Sequence, residues 1–187
     1  NIQGQTMGGL VGRTSGNDNL FENNMVLGVM ETSISVVKAG GISSIIKGQT
    51  TLRNSYIQMD YLNTDGLFRG VSDFNGSGVV ENIFVGNSIF GKGSYKFTNE
   101  RSNYTFKNNR VVKDINGAFT ASEGISSDYS YNSASLAFFS GVLTWDFANV
   151  WEMSGSTPIL KSRGKSIAQI DSVKTVRTFK EFTDAIK

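Results

Sequence analysis

The chain has 187 residues, 39% of them hydrophobic, with 21 glycines, a single proline and a formal net charge of +2. That length and apolar content suit one core with at most a small appendage and exclude general disorder. The balanced charge gives no basis for a nucleic-acid partner, and no apolar run reaches the ~18 residues of a membrane-spanning helix. With neither cysteine nor histidine, a disulfide framework, a thiol nucleophile, an HExxH zinc site and a histidine-based triad are all excluded within these residues.

The N-terminus, Asn1-Ile2-Gln3, reads neither as a signal peptide nor as an ordinary start of translation, so the chain is expected to be a segment of something longer. Gly8-Gly9-Leu10-Val11-Gly12 then opens the regular part. Shortened copies return at Gly40-Gly41-Ile42, Gly66-Leu67-Phe68-Arg69-Gly70, Gly93-Ser94-Tyr95 and Gly117-Ala118-Phe119. After each comes an apolar-x-Asn stretch: Phe21-Glu22-Asn23, Leu52-Arg53-Asn54, Val80-Glu81-Asn82 and Phe106-Lys107-Asn108, with a weaker fifth at Tyr131-Asn132. The asparagines are 31, 28, 26 and 24 residues apart, which is the self-similarity of a solenoid of about five coils.

The residues after each asparagine, such as Asn54-Ser55-Tyr56-Ile57 and Asn82-Ile83-Phe84-Val85, are β-branched and aromatic, as strands prefer. Their imperfect alternation predicts strands stacked in parallel and covered by neighbouring coils. Glycine at the head of a coil (Gly8, Gly9, Gly12, Gly41 and Gly66) permits a tight corner or close approach of two backbones. Asparagine at a fixed phase (Asn23, Asn54, Asn82 and Asn108) tolerates a left-handed corner, and stacked amides can form a ladder.

Ser133 to Gly141 is more apolar and lacks the repeat. Both tryptophans follow, in Val142-Leu143-Thr144-Trp145-Asp146-Phe147-Ala148-Asn149-Val150-Trp151, and then the only proline, Pro158. Trp145, Trp151 and Pro158 are expected to form an aromatic cap over the end of the solenoid; a tryptophan platform for stacking sugars is the alternative. Residues 1–160 carry 11 basic and 13 acidic side chains, whereas residues 161–187 carry 7 and 3. A boundary is therefore expected near Lys161, dividing a capped β module (1–161) from a linker and the start of a following domain (162–187). In that tail Ile167–Val176 reads as a strand. Thr178-Phe179-Lys180-Glu181 reads as a capping box, before a helix with Phe179, Phe182 and Ile186 on one face.

Gly8, Gly9, Leu10 and Gly12, followed by the Asn-led strands, resemble the GLUG repeat, and the ending Trp-Asp-Phe-Ala-Asn-Val-Trp with Gly-Ser-Thr-Pro-Ile-Leu-Lys resembles the close of such arrays. The family most suggested is the Gram-positive zinc metalloproteases of the immunoglobulin A1 protease type. The resemblance, over residues 1–161, implies an all-β, right-handed parallel β-helix in a secreted or wall-anchored bacterial protein. It also implies that zinc and its HExxH ligands belong to a separate catalytic domain. No catalytic, metal or cofactor residue transfers to this chain. The implied role is a non-catalytic module that positions substrate, such as immunoglobulin A1, or spaces other domains of the parent protein.

Two other readings come from different classes. An adhesin module would bind a host protein or a glycan, with Tyr56, Tyr61, Tyr95, Tyr104 and Tyr129 as candidate stacking surfaces. A polysaccharide lyase or hydrolase would need a carboxylate pair, for which Asp60, Asp65, Asp73 and Glu81 are the candidates; the same groups could bind calcium. Against this, Asp beside turn residues is common for backbone reasons. Lys38, Lys47, Arg53 and Arg69 read as a solvated face rather than an anion site. Asn75-Gly76-Ser77 and Asn103-Tyr104-Thr105 match glycosylation sequons, as chance allows in a chain rich in Asn and Ser.

Overall fold

A computed structural model describes residues 6–31, 38–62, 67–86, 88–90, 94–98, 103–112, 124–129 and 135–161. Asn132, Gly66, Gly93, Gly117, Asp65 and the anticipated strand and helix in 162–187 lie outside those residues. Among the described residues the protein is all-β, and twelve strands join one network in which every recorded pairing is parallel.

The strands fall into tiers. The first holds β1 (Thr6–Gly8), β2 (Val11–Thr14), β3 (Asn19–Glu22) and β4 (Met25–Glu31). The second holds β5 (Lys38–Gly40) and β6 (Ser43–Leu62), the third β7 (Leu67–Val85) and β8 (Ser88–Phe90). The fourth holds β9 (Ser94–Thr98), β10 (Tyr104–Lys107) and β11 (Asn109–Val112), on which β12 (Ile125–Tyr129) pairs. Residues stand above one another at separations that shrink along the chain. Gly8 pairs with Gly40, 32 residues on; Leu20 with Thr51, 31 on; Thr51 with Val79, 28 on; and Val79 with Thr105, 26 on. The progression then breaks, because Asn109 pairs with Ile125, only 16 residues on.

The long strands β6 and β7 bend where the backbone goes left-handed. Asn23, Asn54, Asn82 and Asn108 have φ of 54°, 52°, 54° and 52°, a region that asparagine enters with less strain than other side-chain-bearing residues. Glycine acts differently. A Cβ at Gly9 would overlap the Gly41 carbonyl oxygen and stand 2.6 Å from Val26 Cγ1, and one at Gly41 would overlap the Gly70 carbonyl oxygen and Ile57 Cγ2. Close approach thus requires glycine at Gly9 and at Gly41, each facing the carbonyl of the next tier. Gly40 pairs with Arg69, which sets Gly70, the last residue of the Gly66–Gly70 copy, beside Gly41. Gly12 has open space around a would-be Cβ, so its place in the motif has no steric cause.

One face of these strands builds the core. Val26, Ile57, Val85 and Val111 stack in register and are buried, as are Leu52 with Val80 and Ile46 with Phe74. Aromatic rings fill the wider parts, with Tyr61 4.8 Å from Phe68 and Phe74 4.6 Å from Tyr104 between centroids. A fully buried side chain of this size contributes about 1.5–3 kcal/mol relative to its exposed state. No described helix is long and apolar enough to cross a membrane.

Candidate functional site

Each asparagine corner is flanked by two further columns, and together they form the most organised surface of the molecule. The corner amides bond to one another. Asn108 Nδ2 donates to Asn82 Oδ1 (2.8 Å), and Asn82 Nδ2 donates to Asn54 Oδ1 (3.3 Å). Immediately before the corners, Glu22, Arg53, Glu81 and Lys107 stand in register. Their charges alternate in sign, and Arg53 Nε lies 2.9 Å from Glu22 Oε1. This column was legible in the variable middle residue of the apolar-x-Asn stretches, whose sign reverses at each recurrence.

Two positions after the corners, Met25, Tyr56, Phe84 and Arg110 stand in register on the face opposite the core column. Tyr56 and Phe84 stack at 5.4 Å and 6°. They are nonetheless buried, because the C-terminal segment lies across them. A single wide turn, Phe138–Val142, closes with Leu143 N donating to Phe138 O (3.1 Å). It places Phe139 edge-on to Tyr56 (6.2 Å) and to Phe84 (5.4 Å). Trp145 stacks on Phe139 (5.0 Å), and Trp151 on Trp145 (4.5 Å). The cover is tied down at the corners themselves. Trp145 Nε1 donates to Asn82 O (2.9 Å), and Asn108 Nδ2 makes a second bond to Val142 O (2.6 Å).

Behind Trp151 the antiparallel hairpin of β13 (Trp151–Ser154) and β14 (Thr157–Leu160) carries the buried Pro158 opposite Met153. Its entrance is a turn in which both carboxylate oxygens of Asp146 accept from Asn149, each at 2.9 Å. Those two bonds, side-chain first, hold the Asp146 carboxyl below its ordinary range. Lys161 Nζ closes the hairpin on the carbonyls of Phe147 and Ala148, each at 2.8 Å. Trp145, Trp151 and Pro158 thus belong to a cover whose bonds and ring contacts reach the second, third and fourth tiers from the side.

The remaining candidates are placed as follows. Asp73 is buried, with Arg69 Nε 2.6 Å from its Oδ1 and Lys38 Nζ 3.7 Å from its Oδ2. Asp60 pairs in register with Ser88, and Glu81 sits between Arg53 and Lys107, so these carboxylates occupy separate columns. Lys47 stands in register with the exposed Asn75. Among the described residues no three His, Cys, Asp or Glu side chains are grouped as a metal would require. Tyr56, Tyr61 and Tyr104 are buried, so they line no outer surface. Burial raises the Tyr61 phenol far above its ordinary value and raises Tyr104 too, against a lowering hydrogen bond from Thr50. Of Tyr95 and Tyr129 the strand position alone is described.

What this arrangement does chemically is bind its own chain. The buried polar groups hold tiers together: Asn109 Nδ2 donates to Val80 O (2.9 Å) while its Oδ1 accepts from Ile83 N (3.1 Å), and Thr98 Oγ1 donates to Ser72 O (2.7 Å). Compared with protein-family models, with curated proteins and with solved structures, the chain gives no match.

Proposed function

We propose that the tiers are successive coils of a right-handed parallel β-helix, and that the chain is a rigid, non-catalytic module of a secreted or wall-anchored bacterial protein. Its place would be beside the catalytic domain of an immunoglobulin A1 protease-like zinc metalloprotease, where it positions substrate or acts as a spacer. The observation that carries this reading is the repetition of one corner design. Four asparagines at nearly the same left-handed φ, each after a charged residue and before a core strand, hold successive tiers in parallel register. A stack whose polar side chains are engaged between tiers is stiff and presents a long lateral surface. The missing histidine rules out an HExxH centre in these residues, so zinc chemistry would come from elsewhere in the parent protein.

The test is capture of immunoglobulin A1 by the purified chain, with calorimetry to measure the affinity. Binding without cleavage is the expected result for a positioning module, and no binding leaves the spacer role. Zinc-dependent cleavage by this chain alone would overturn the reading. An adhesin role remains the competing proposal. It needs a surface other than Tyr56 and Trp145, which are 1% and 2% exposed.

A further inference from the structure

The strand segments that lead into the asparagine corners share one outward face. They turn Phe21, Leu52, Val80 and Phe106 toward the core and set two columns of side chains outward. One is Leu20, Thr51, Val79 and Thr105; the other is Glu22, Arg53, Glu81 and Lys107. Leu20, Thr105 and Lys107 are exposed, because the cover of Phe139 and Trp145 lies past the corners, over Tyr56 and Phe84.

The charge column is only half used within the chain. Arg53 Nε meets Glu22 Oε1 at 2.9 Å, and a guanidinium fork has further N–H donors for a second carboxylate. Among the described residues, Glu81 and Lys107 make no ion pair. Reversed in order, the same column is its own complement: each row then meets the opposite sign.

We propose that this face is a homodimer interface, packed face to face about a two-fold axis that runs parallel to the strands between the second and third tiers. Rotation about that axis keeps the column over itself and reverses its rows. Glu22 faces Lys107 of the second copy and Arg53 faces Glu81 of the second copy, each contact occurring twice. Glu81 and Lys107 thus gain the partners they lack within the chain. In the neighbouring column Leu20 is covered by Thr105 of the second copy, and Thr51 by Val79. Sheets packed face to face stand about 10 Å apart, a gap that two long charged side chains span. A two-fold axis along the stack and over this column would keep the row order and set every charge against its like. The chosen axis passes through the middle of four described rows, so the pairing uses no chain end. The face is roughly 20 Å on a side, small for a specific interface. Charge matching rather than area therefore selects the partner, and the expected dissociation constant is about 10–100 µM.

Sedimentation equilibrium of the whole chain at concentrations up to ~500 µM tests the proposal. The wild type is expected to dimerise, and to associate at least ~10-fold more weakly near ~1 M salt. R53E and E81R each set like charges opposite one another twice across the axis, so each alone should associate at least ~10-fold more weakly than the wild type. Their equimolar mixture should regain a heterodimer of wild-type strength, because every row of the R53E copy meets the opposite sign on the E81R copy. Repair of the column within one chain cannot produce that recovery. Far-UV circular dichroism checks that each variant is folded, and the salt series on the wild type needs no variant. The proposal is overturned by a monomeric wild type at ~500 µM, by a dimer indifferent to salt, by either folded variant associating as the wild type does, or by a mixture of the two folded variants that stays monomeric.

Discussion

At the scale of single residues, asparagine holds the corners for two separable reasons. It accepts a left-handed backbone, and its amide is able to bond to the tiers on both sides. Asn82 shows both, with φ of 54°, a donor bond to Asn54 and an acceptor bond from Asn108. Asn82→Ala loses all of this and is expected to cost about 2–4 kcal/mol, from the left-handed strain and two hydrogen bonds. Asn82→Gly keeps the backbone freedom and loses the amide, so it should fall about 1 kcal/mol short of the alanine cost. Urea titration of the two variants separates the contributions, and equal losses would mean that backbone strain is irrelevant at the corner. The tryptophans divide similarly. Trp145 Nε1 donates to Asn82 O, whereas Trp151 Nε1 is buried with no hydrogen-bond partner among the described residues. Trp145→Phe should therefore destabilise by about 1–2 kcal/mol more than Trp151→Phe, since it also strands a carbonyl. Thermal melts followed by near-UV circular dichroism would show it.

Between elements, the alternating column of Glu22, Arg53, Glu81 and Lys107 favours one neighbour for each strand. Like charges directly opposite are unfavourable and unlike charges favourable, by up to about 1 kcal/mol per pair. Arg53 is 41% and Glu22 32% exposed at the side chain, so solvent discounts the pair. Arg53→Glu sets three carboxylates in succession and is expected to cost about 1–2 kcal/mol in low salt, falling by half or more near ~1 M salt as screening shortens the range. A cost unaffected by salt would assign the loss to packing of the arginine stem instead. At this scale the sequence was partly legible. The asparagine phase could be read because a left-handed corner and a stacking amide both select that side chain. The steric demand for glycine was not legible, since what forces it at Gly41 is the approach of the Gly70 carbonyl, a neighbour that motif alignment does not see. The covered outer face was illegible for a further reason. Tyr56 and Phe84 look like any strand aromatics, and the rings of Phe139 and Trp145 that bury them come from a segment far along the chain with no repeat of its own.

For the whole molecule, opening of the stack has a titratable reporter. Tyr61 is fully buried and donates its hydroxyl to Arg69 O (3.1 Å). Its pKa in the folded protein is raised by desolvation. The unfolded phenol ionises near pH ~10, so stability is present in full below that value. It declines as pH rises toward the folded pKa, because only the unfolded chain releases the proton. Tyr61→Phe should lower stability at neutral pH by about 1 kcal/mol for the hydroxyl's bond and make the alkaline decline shallower. Denaturation series at successive pH values would reveal an unchanged slope if Tyr61 titrates freely. The charge column described above also gives the array a parity. Excision of one tier would bring Glu22 against Glu81, or Arg53 against Lys107, whereas removal of two adjacent tiers would restore opposite signs. The asparagine ladder has no such preference, because each amide both donates and accepts. Arrays of this design should thus lengthen and shorten by even steps, with the electrostatic column, not the amide one, counting them.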